Sequence, residues 1–297
     1  MSSPESLKIL FVINPKSGAK TKTDFKTLIS EYFQALPHSI DFFLLDGNDK
    51  IESLKSILDK TKPERIVAVG GDGTVTSVAK QVLKTDIAMG IIPAGSANGM
   101  ARELNIPLDV NEALDVVMNG IKKSADVILI NDKEICLHLS DIGMNAQLIK
   151  YFEASSLRGM LGYARVVLKV LLRKHRMKVT VESRDEEVSR FALMVAIANA
   201  SKYGTGATIN PEGNLFDGWF EVVIVRKLAL VEILKMFLKV QRFDPKKVEV
   251  ISAKSVTIET SRRMDFQIDG EYMGKVDSIK AKILQGQLNI LVPEEKR

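Results

Sequence analysis

The sequence predicts an α/β domain followed by a mostly β domain, and three observations carry that expectation. Its 297 residues, 45% hydrophobic and 27% charged, suffice for about two domains with their own cores. Through the first third, short β-branched runs alternate with amphipathic segments, the pattern of a parallel sheet wrapped by helices. Near residues 125 to 130 the texture changes to successive strand patterns. No Pro/Gly/Ser linker marks that boundary, so the domains are expected to abut closely.

In chain order, the apolar runs Lys8 to Ile13, Ile40 to Leu45, Ile66 to Val69 and Ala88 to Ile92 read as strands. Helical periodicity covers Thr23 to Ala35, Lys50 to Lys60, Thr74 to Leu83 and Val110 to Gly120. The second part predicts strands at Asp126 to Ile130, Glu134 to Ser140, Lys178 to Glu182, Phe191 to Asn199 and Trp219 to Val225. Five more follow, at Val248 to Ile251, Ser255 to Ile258, Asp265 to Ile268, Ile279 to Leu284 and Leu288 to Val292. Two apolar helices with basic edges, at residues 157 to 173 and 228 to 240, suit either packing on a sheet or lying against a membrane surface.

Composition excludes several classes. A mean hydropathy of +0.04 rules out global disorder. No apolar run approaches the ~20 residues that span a bilayer, and Glu5 stands where a signal peptide would carry basic charge, so a cytoplasmic chain is expected. The single Cys136 cannot make an internal disulfide or a thiolate zinc cage, which fits a reducing compartment. The net charge of +5 favours anionic partners, but no aromatic-interleaved basic stretch supports nucleic-acid binding.

The strongest chemical signal is IVAVGGDGTV at residues 66 to 75, an apolar strand running through glycines into a helix. Glycines let backbone amides approach phosphate oxygens, and the helix presents its positive end to them. Asp72, at the strand's carboxyl end, is placed to engage Mg²⁺ or a transferring phosphate; a plain Gly-Asp-Gly turn is the alternative. Two more polar, glycine-bearing loops follow strands of the same sheet: NPKSG at residues 14 to 18 and PAGSANGMAR at residues 93 to 102. None matches the Walker loop, the dinucleotide glycine fingerprint or the protein-kinase catalytic loop.

The ordered set NP-x-SG, GGDGT and P-x-GS-x-N resembles the diacylglycerol kinase catalytic domain family, with its bacterial soluble lipid kinases and sphingosine kinases. Downstream, NASKYGTGATINPEGNLFDG at residues 199 to 218 and Asp269-Gly270-Glu271 are similar to that family's later segments. The resemblance implies a Rossmann-like nucleotide-binding domain over residues 1 to 126, to which residues from about 280 to 297 could return. It implies a C-terminal β-sandwich over residues 127 to 279 that takes the lipid, the two meeting at a cleft. The activity implied is ATP-dependent, Mg²⁺-dependent phosphorylation of a lipid alcohol such as diacylglycerol or a sphingoid base.

Carried over residue by residue, Asn14, Ser17, Gly71, Asp72, Gly73, Thr74, Ser96 and Asn98 would bind the nucleotide, and Glu271 would be the general base, with Asp72 also catalytic. Asp217, with the carbonyls of Asn214 and Trp219, would hold a structural Mg²⁺, and Asp126 would support the active-site network. Otherwise Asp269-Gly270-Glu271 and Asp217-Gly218 are turns with solvated acids. The chain departs from the bacterial pattern at Gly99, where an acidic residue is usual, and after Leu44, where a threonine is usual; its Ser96 and Asn98-Gly99 are closer to the sphingosine-kinase side. Expected partners are the lipid alcohol, a transient membrane-surface contact through the basic residues of 157 to 176, and, left open, a second copy in a homodimer. An NAD kinase, which shares GGDGT, and a non-catalytic lipid-binding protein with a relic nucleotide site remain as alternatives, whereas a serine hydrolase lacks its G-x-S-x-G elbow.

Overall fold

The computed structural model describes residues 6–17, 23–45, 51, 53–153, 176–184, 186–201, 208–227 and 243–294. The chain divides into two compact units, Met1–Ala125 with Gly286–Arg297, and Asp126–Gln285.

The first unit is a parallel sheet with helical connections. Its strands are β1 (Lys8–Ile13), β2 (Ser39–Leu44), β3 (Arg65–Gly70) and β4 (Ala88–Pro93), arranged in the order β4-β3-β1-β2. All three pairings are parallel, as Ile9 opposite Ile40, Leu10 opposite Ile66 and Ile66 opposite Met89 illustrate. Central β1, β3 and β4 are buried nearly throughout, because helices cover both faces of a parallel sheet and leave no place for alternating polar residues. Edge strand β2 is the one that alternates in exposure. Between strands run α1 (Phe25–Phe33), α2 (Ser53–Thr61) and α3 (Asp72–Val82). After β4 come α4 (Gly99–Glu103) and α5 (Val110–Asn119). Capping follows side-chain chemistry: Asp24 accepts from Thr27 N, and Asp109 accepts from Asn111 N and Glu112 N. Arg65 donates to the carbonyls of Val117 and Met118 at the negative end of α5.

The second unit is β-rich. It contains β5 (Ile121–Ile130) from Asp126 onward, β6 (Glu134–Cys136), β7 (Leu139–Gly143), α6 (Met144–Glu153), β8 (Met177–Ser183) and β9 (Glu187–Ala192). Then follow β10 (Met194–Ala198), β11 (Phe220–Val225), β12 (Val248–Ala253), β13 (Ser255–Ile268) and β14 (Glu271–Val292) as far as Gln285. One antiparallel run is β12-β11-β10-β7-β13, in which the second half of β13 pairs with β7, Gln267 opposite Asp141. The first half of β13 pairs instead with β8, Ile258 opposite Val181, and β8 pairs with β9. A register shift between Glu259 and Met264 lets this strand serve both sheets, as bends do in sandwiches. Alternate residues of the two layers, among them Val179, Val181, Ile197, Val222, Ile258 and Phe266, form one core. The end of β14, in the first unit, adds a parallel strand beside β4 through Ile290 and Met89.

The strand patterns translate closely, with five differences. The stretch Phe191 to Asn199, expected as one strand, holds the end of β9 and all of β10, because the chain passes at Leu193 from pairing with β8 to pairing with β7 and β11. Residues 134 to 140 make two strands, because the chain turns through Leu137 and His138 where Asp269 gathers their amides. Ser255 to Ile268 is one bent strand, and Glu271 to Val292 is another. Helix α6 forms where no helix was expected, capped by Asp141, whose carboxylate accepts from Ala146 N at 2.8 Å. Short α4 lies inside the loop after β4. The two basic helices expected at 157 to 173 and 228 to 240 lie outside the described residues.

Candidate functional site

In the first unit, the neighbours of β1 are β2 on one side and β3 on the other, so the connections leave β1 and β3 in opposite directions. That switch point, at the carboxyl ends of the strands, is where open α/β sheets bind ligands. The structure brings three loops together there. Asn14, just beyond β1, donates its backbone amide to Val69 O at 3.0 Å and its Nδ2 to Thr74 Oγ1 at 3.2 Å. Its Oδ1 accepts from Lys16 N, and its carbonyl accepts from Ser17 N, folding residues 14 to 17 into a turn.

Gly71 caps α3, and Thr74 N and Val75 N both donate to its carbonyl. The loop after β4 comes into backbone contact with it: a Cβ on Gly95 would lie 2.5 Å from Gly71 Cα. No side chain fits between these two segments. The first amides of α3, at Asp72 and Gly73, have no preceding turn to bond, so they and the glycine backbones form a cradle that admits phosphate oxygens and excludes a Cβ. That cradle fits the polyphosphate of ATP.

Asp72 fastens the two loops. Its Oδ2 accepts from Gly99 N at 3.0 Å and its Oδ1 from Met100 N at 3.1 Å, anchoring the start of α4. Gly99, the departure from the bacterial pattern, thus donates to Asp72 through its backbone. Asn98 adopts the left-handed conformation at φ 51 and turns its amide onto Gly95, accepting from its N at 2.8 Å and donating to its O at 3.0 Å. Ser96 and Gly73 are exposed beside this frame, and Thr74 is buried under it.

In the second unit, Glu271 is exposed at the first position of β14, directly after the two-residue turn Asp269-Gly270. Both turn residues have positive φ, 48 and 90, the geometry of a tight hairpin. Asp269 is not a solvated turn acid. Its carboxylate accepts from Leu137 N at 2.8 Å, His138 N at 2.9 Å and Leu139 N at 3.0 Å, with Cys136 Sγ at 3.3 Å. Burial, and then the negative charge of Asp269, raise the Cys136 thiol well above its ordinary value. Gly270 N donates to Gln267 Oε1 at 2.7 Å, and Gln267 Nε2 donates to fully buried Asp141 at 2.6 Å. Beside Glu271, Tyr272 Oη and Lys150 Nζ both donate to Asp265, at 2.6 and 2.9 Å. Those bonds hold the Lys150 ammonium above its usual range, while burial, followed by Asp265, raises the Tyr272 phenol.

The loop carrying Asn214, Asp217 and Trp219 is shaped by its own side chains. Asn214 Oδ1 accepts from Phe216 N at 3.1 Å, and Asp217 Oδ1 accepts from Trp219 N at 2.9 Å. Buried Asp126 pins it, donating its amide to Leu215 O at 2.7 Å and accepting from Gly218 N at 2.6 Å. Asn199 Nδ2 bridges the carbonyls of Asp126 and Leu137, each at 2.9 Å. One carboxylate with two backbone carbonyls is an all-oxygen donor set suited to Mg²⁺. Among the described residues no group of three or more His, Cys, Asp or Glu is arranged for a metal, so an ion here would depend on those carbonyls.

Sequence reading missed Asp141, Gln267 and the role of Asp269. An Asp-Gly between two strand patterns was the available signal for the turn. Nothing local signalled the amides it gathers from more than a hundred residues away.

The chain is similar to known proteins in both units. Residues 8–130 match the family model described as diacylglycerol kinase catalytic domain, and residues 140–292 match the YegS C-terminal NAD kinase beta sandwich-like domain. A protein named diacylglycerol kinase from Bacillus subtilis (strain 168) is 27% identical over 242 residues, 78% of each chain. One from Pectobacterium atrosepticum, named probable lipid kinase YegS-like, is 28% identical over 219 residues, 71% of this chain and 72% of its own. A solved structure described as a diacylglycerol kinase from Bacillus anthracis str. Sterne superposes with a TM-score of 0.73 at 19% identity over 98% of both chains, a likeness of fold. The chain therefore belongs to the diacylglycerol kinase catalytic domain family, with an α/β N-terminal domain and a β-sandwich-like C-terminal domain of the YegS type.

Proposed function

We propose that the chain is an ATP-dependent lipid kinase that transfers the γ-phosphoryl group to the hydroxyl of a lipid alcohol, diacylglycerol or a sphingoid base. The supporting observation is the contact of the Gly71 and Gly95 backbones at the switch point, held by Asp72, in a chain of this family. Bound ATP with Mg²⁺ supplies the transferable group and neutralises its charge. Backbone amides of the Gly71 and Gly95 loops hold phosphate oxygens, and Asn14 and Asn98 keep those loops in shape. Asp72 acts through that frame and as the nearest carboxylate to the helix end. Glu271 accepts the proton of the lipid hydroxyl as its oxygen bonds to phosphorus and the bond from phosphorus to the ADP oxygen breaks. A structural Mg²⁺ at Asp217 would stabilise the 214 to 219 loop.

The experiment is ATP consumption with purified protein, Mg²⁺ and lipid extracts, with NAD alongside, in the parent and Glu271→Gln. Glu271 is exposed, so the variant should keep the parent melting temperature and lose about 10²- to 10⁴-fold in turnover, the range of one general base. Phosphorylation of NAD and of no lipid would overturn the reading.

A further inference from the structure

We propose that a cationic cleft around Phe191 in the second unit is the surface by which this protein docks on anionic bilayers. The proposal rests on the lipid-kinase reading only for the identity of the surface it visits. The cleft, about 410 Å³, is walled by Arg176, Lys178, Arg190, Arg226 and Lys227 around the ring of Phe191.

Strand alternation explains its composition. Along β8, Met177, Val179 and Val181 turn into the core, which leaves Lys178 on the outer face. Its cross-strand neighbour on β9 is Phe191. At 63% exposure, Phe191 is the most open of the large hydrophobic side chains among the described residues. Arg226 and Lys227 arrive from the end of β11, where their backbone amides bond Lys247 O. The cations are not equivalent. Arg190 is neutralised by Glu249 through two bonds of 2.8 Å, and Glu186 lies near enough to be felt by it. Arg176, Lys178, Arg226 and Lys227 form no salt bridge among the described residues.

Four cations without a salt bridge among the described residues, around one exposed aromatic ring, are poorly served by water alone. At the boundary between headgroups and acyl chains, the ring is buried while the cations meet lipid phosphates. A strand of nucleic acid would instead require successive stacking platforms, and the cleft has one ring. The substrate proposed above resides in such a surface.

The test is co-sedimentation, without ATP, on vesicles of phosphatidylcholine alone and of phosphatidylcholine with one-third phosphatidylglycerol. The parent should bind the anionic vesicles preferentially and release as salt rises. Lys178→Gln and Lys227→Gln should each weaken that binding about fivefold, and roughly twenty-five-fold together, from the ~1 kcal/mol a basic residue gains near an anionic membrane. Phe191→Ser should weaken it several-fold while keeping the parent's salt dependence. All three positions are open to solvent, and parent-like melting curves confirm folding. Activity on a dispersed short-chain alcohol should be unchanged in every variant, while the apparent KM for vesicle-borne lipid rises.

Sedimentation of the double variant equal to the parent, or binding indifferent to anionic lipid, overturns the proposal. So does displacement of the parent by low-millimolar inorganic phosphate, which would assign the cleft to a free anion. Charge-dependent sedimentation without phosphorylation of any lipid supports this surface and overturns the kinase reading alone.

Discussion

Replacing Asp269 by alanine should destabilise the second unit and misplace the turn that carries Glu271. The carboxylate accepts three backbone amides at 2.8 to 3.0 Å, and hydrogen bonds to a charged group are worth about 1.5–3 kcal/mol each. Asp269 is only half-buried, so water reaches part of the vacated space and the three bonds do not simply add. Alanine must also hold φ 48, a left-handed conformation that costs a further ~1 kcal/mol. The expected loss is about 3–5 kcal/mol, and less than half of that in Asp269→Asn, which keeps one acceptor oxygen and tolerates this φ. Urea unfolding gives the stability difference. Alkylation of Cys136 gives a second readout, because its thiol is fully buried against Asp269 and should react in the variant before global unfolding. Asp269→Ala within about 0.5 kcal/mol of the parent, with Cys136 still protected, would refute the claim that this carboxylate organises residues 136 to 139.

Gly95→Ala should cost about 1–3 kcal/mol and weaken nucleotide binding, because its Cβ would meet backbone at 2.5 Å and Asn98 Oδ1 at 2.9 Å; calorimetric titration with nucleotide and a denaturant midpoint both read it, and parent-like values would disprove the contact. Asp24 is held below the ordinary carboxyl value of 3.8 by its bonds from Thr27. Its stabilising contribution is therefore complete above that value and lost as pH falls through the depressed one, so Asp24→Ala should melt below the parent at neutral pH and converge with it in acid. A gap unchanged by acid would mean that the charge contributes nothing. Chelation should lower the parent's melting temperature and leave Asp217→Ala unaffected, since an ion bound only by the folded state stabilises it by mass action; equal shifts in both would place the ion elsewhere.

Much of the first unit was legible. Lys8 to Ile13, Ile66 to Val69 and Ala88 to Ile92 read as buried strands because helices on both faces demand uninterrupted apolar residues, a demand that acts locally. Their glycine-bearing exits marked the loops proposed to hold phosphate, since only glycine combines a tight strand-to-helix turn with open backbone amides. The β character of the second unit was legible, but its strand count and its pairing scheme were not. The bent β13 and the unbroken β14 depend on partners distant in sequence, so the strand patterns Ser255 to Ile258 and Asp265 to Ile268, and Ile279 to Leu284 and Leu288 to Val292, read as separate strands.

By itself, then, the sequence indicated the class of most elements, the glycine-bearing loops that are candidates for phosphate binding, and the resemblance to the family. Only the tertiary structure decided that Gly71 and Gly95 touch, that Asp72 uses both carboxylate oxygens to tie α4, and that Asp269 is a half-buried junction gathering three backbone amides where a solvated acid was the simpler reading. The physical reason is range. Hydrophobic period and turn chemistry are set by residues a few positions apart, whereas the partner of a carboxylate is set by sheet register and loop approach, which no local pattern encodes.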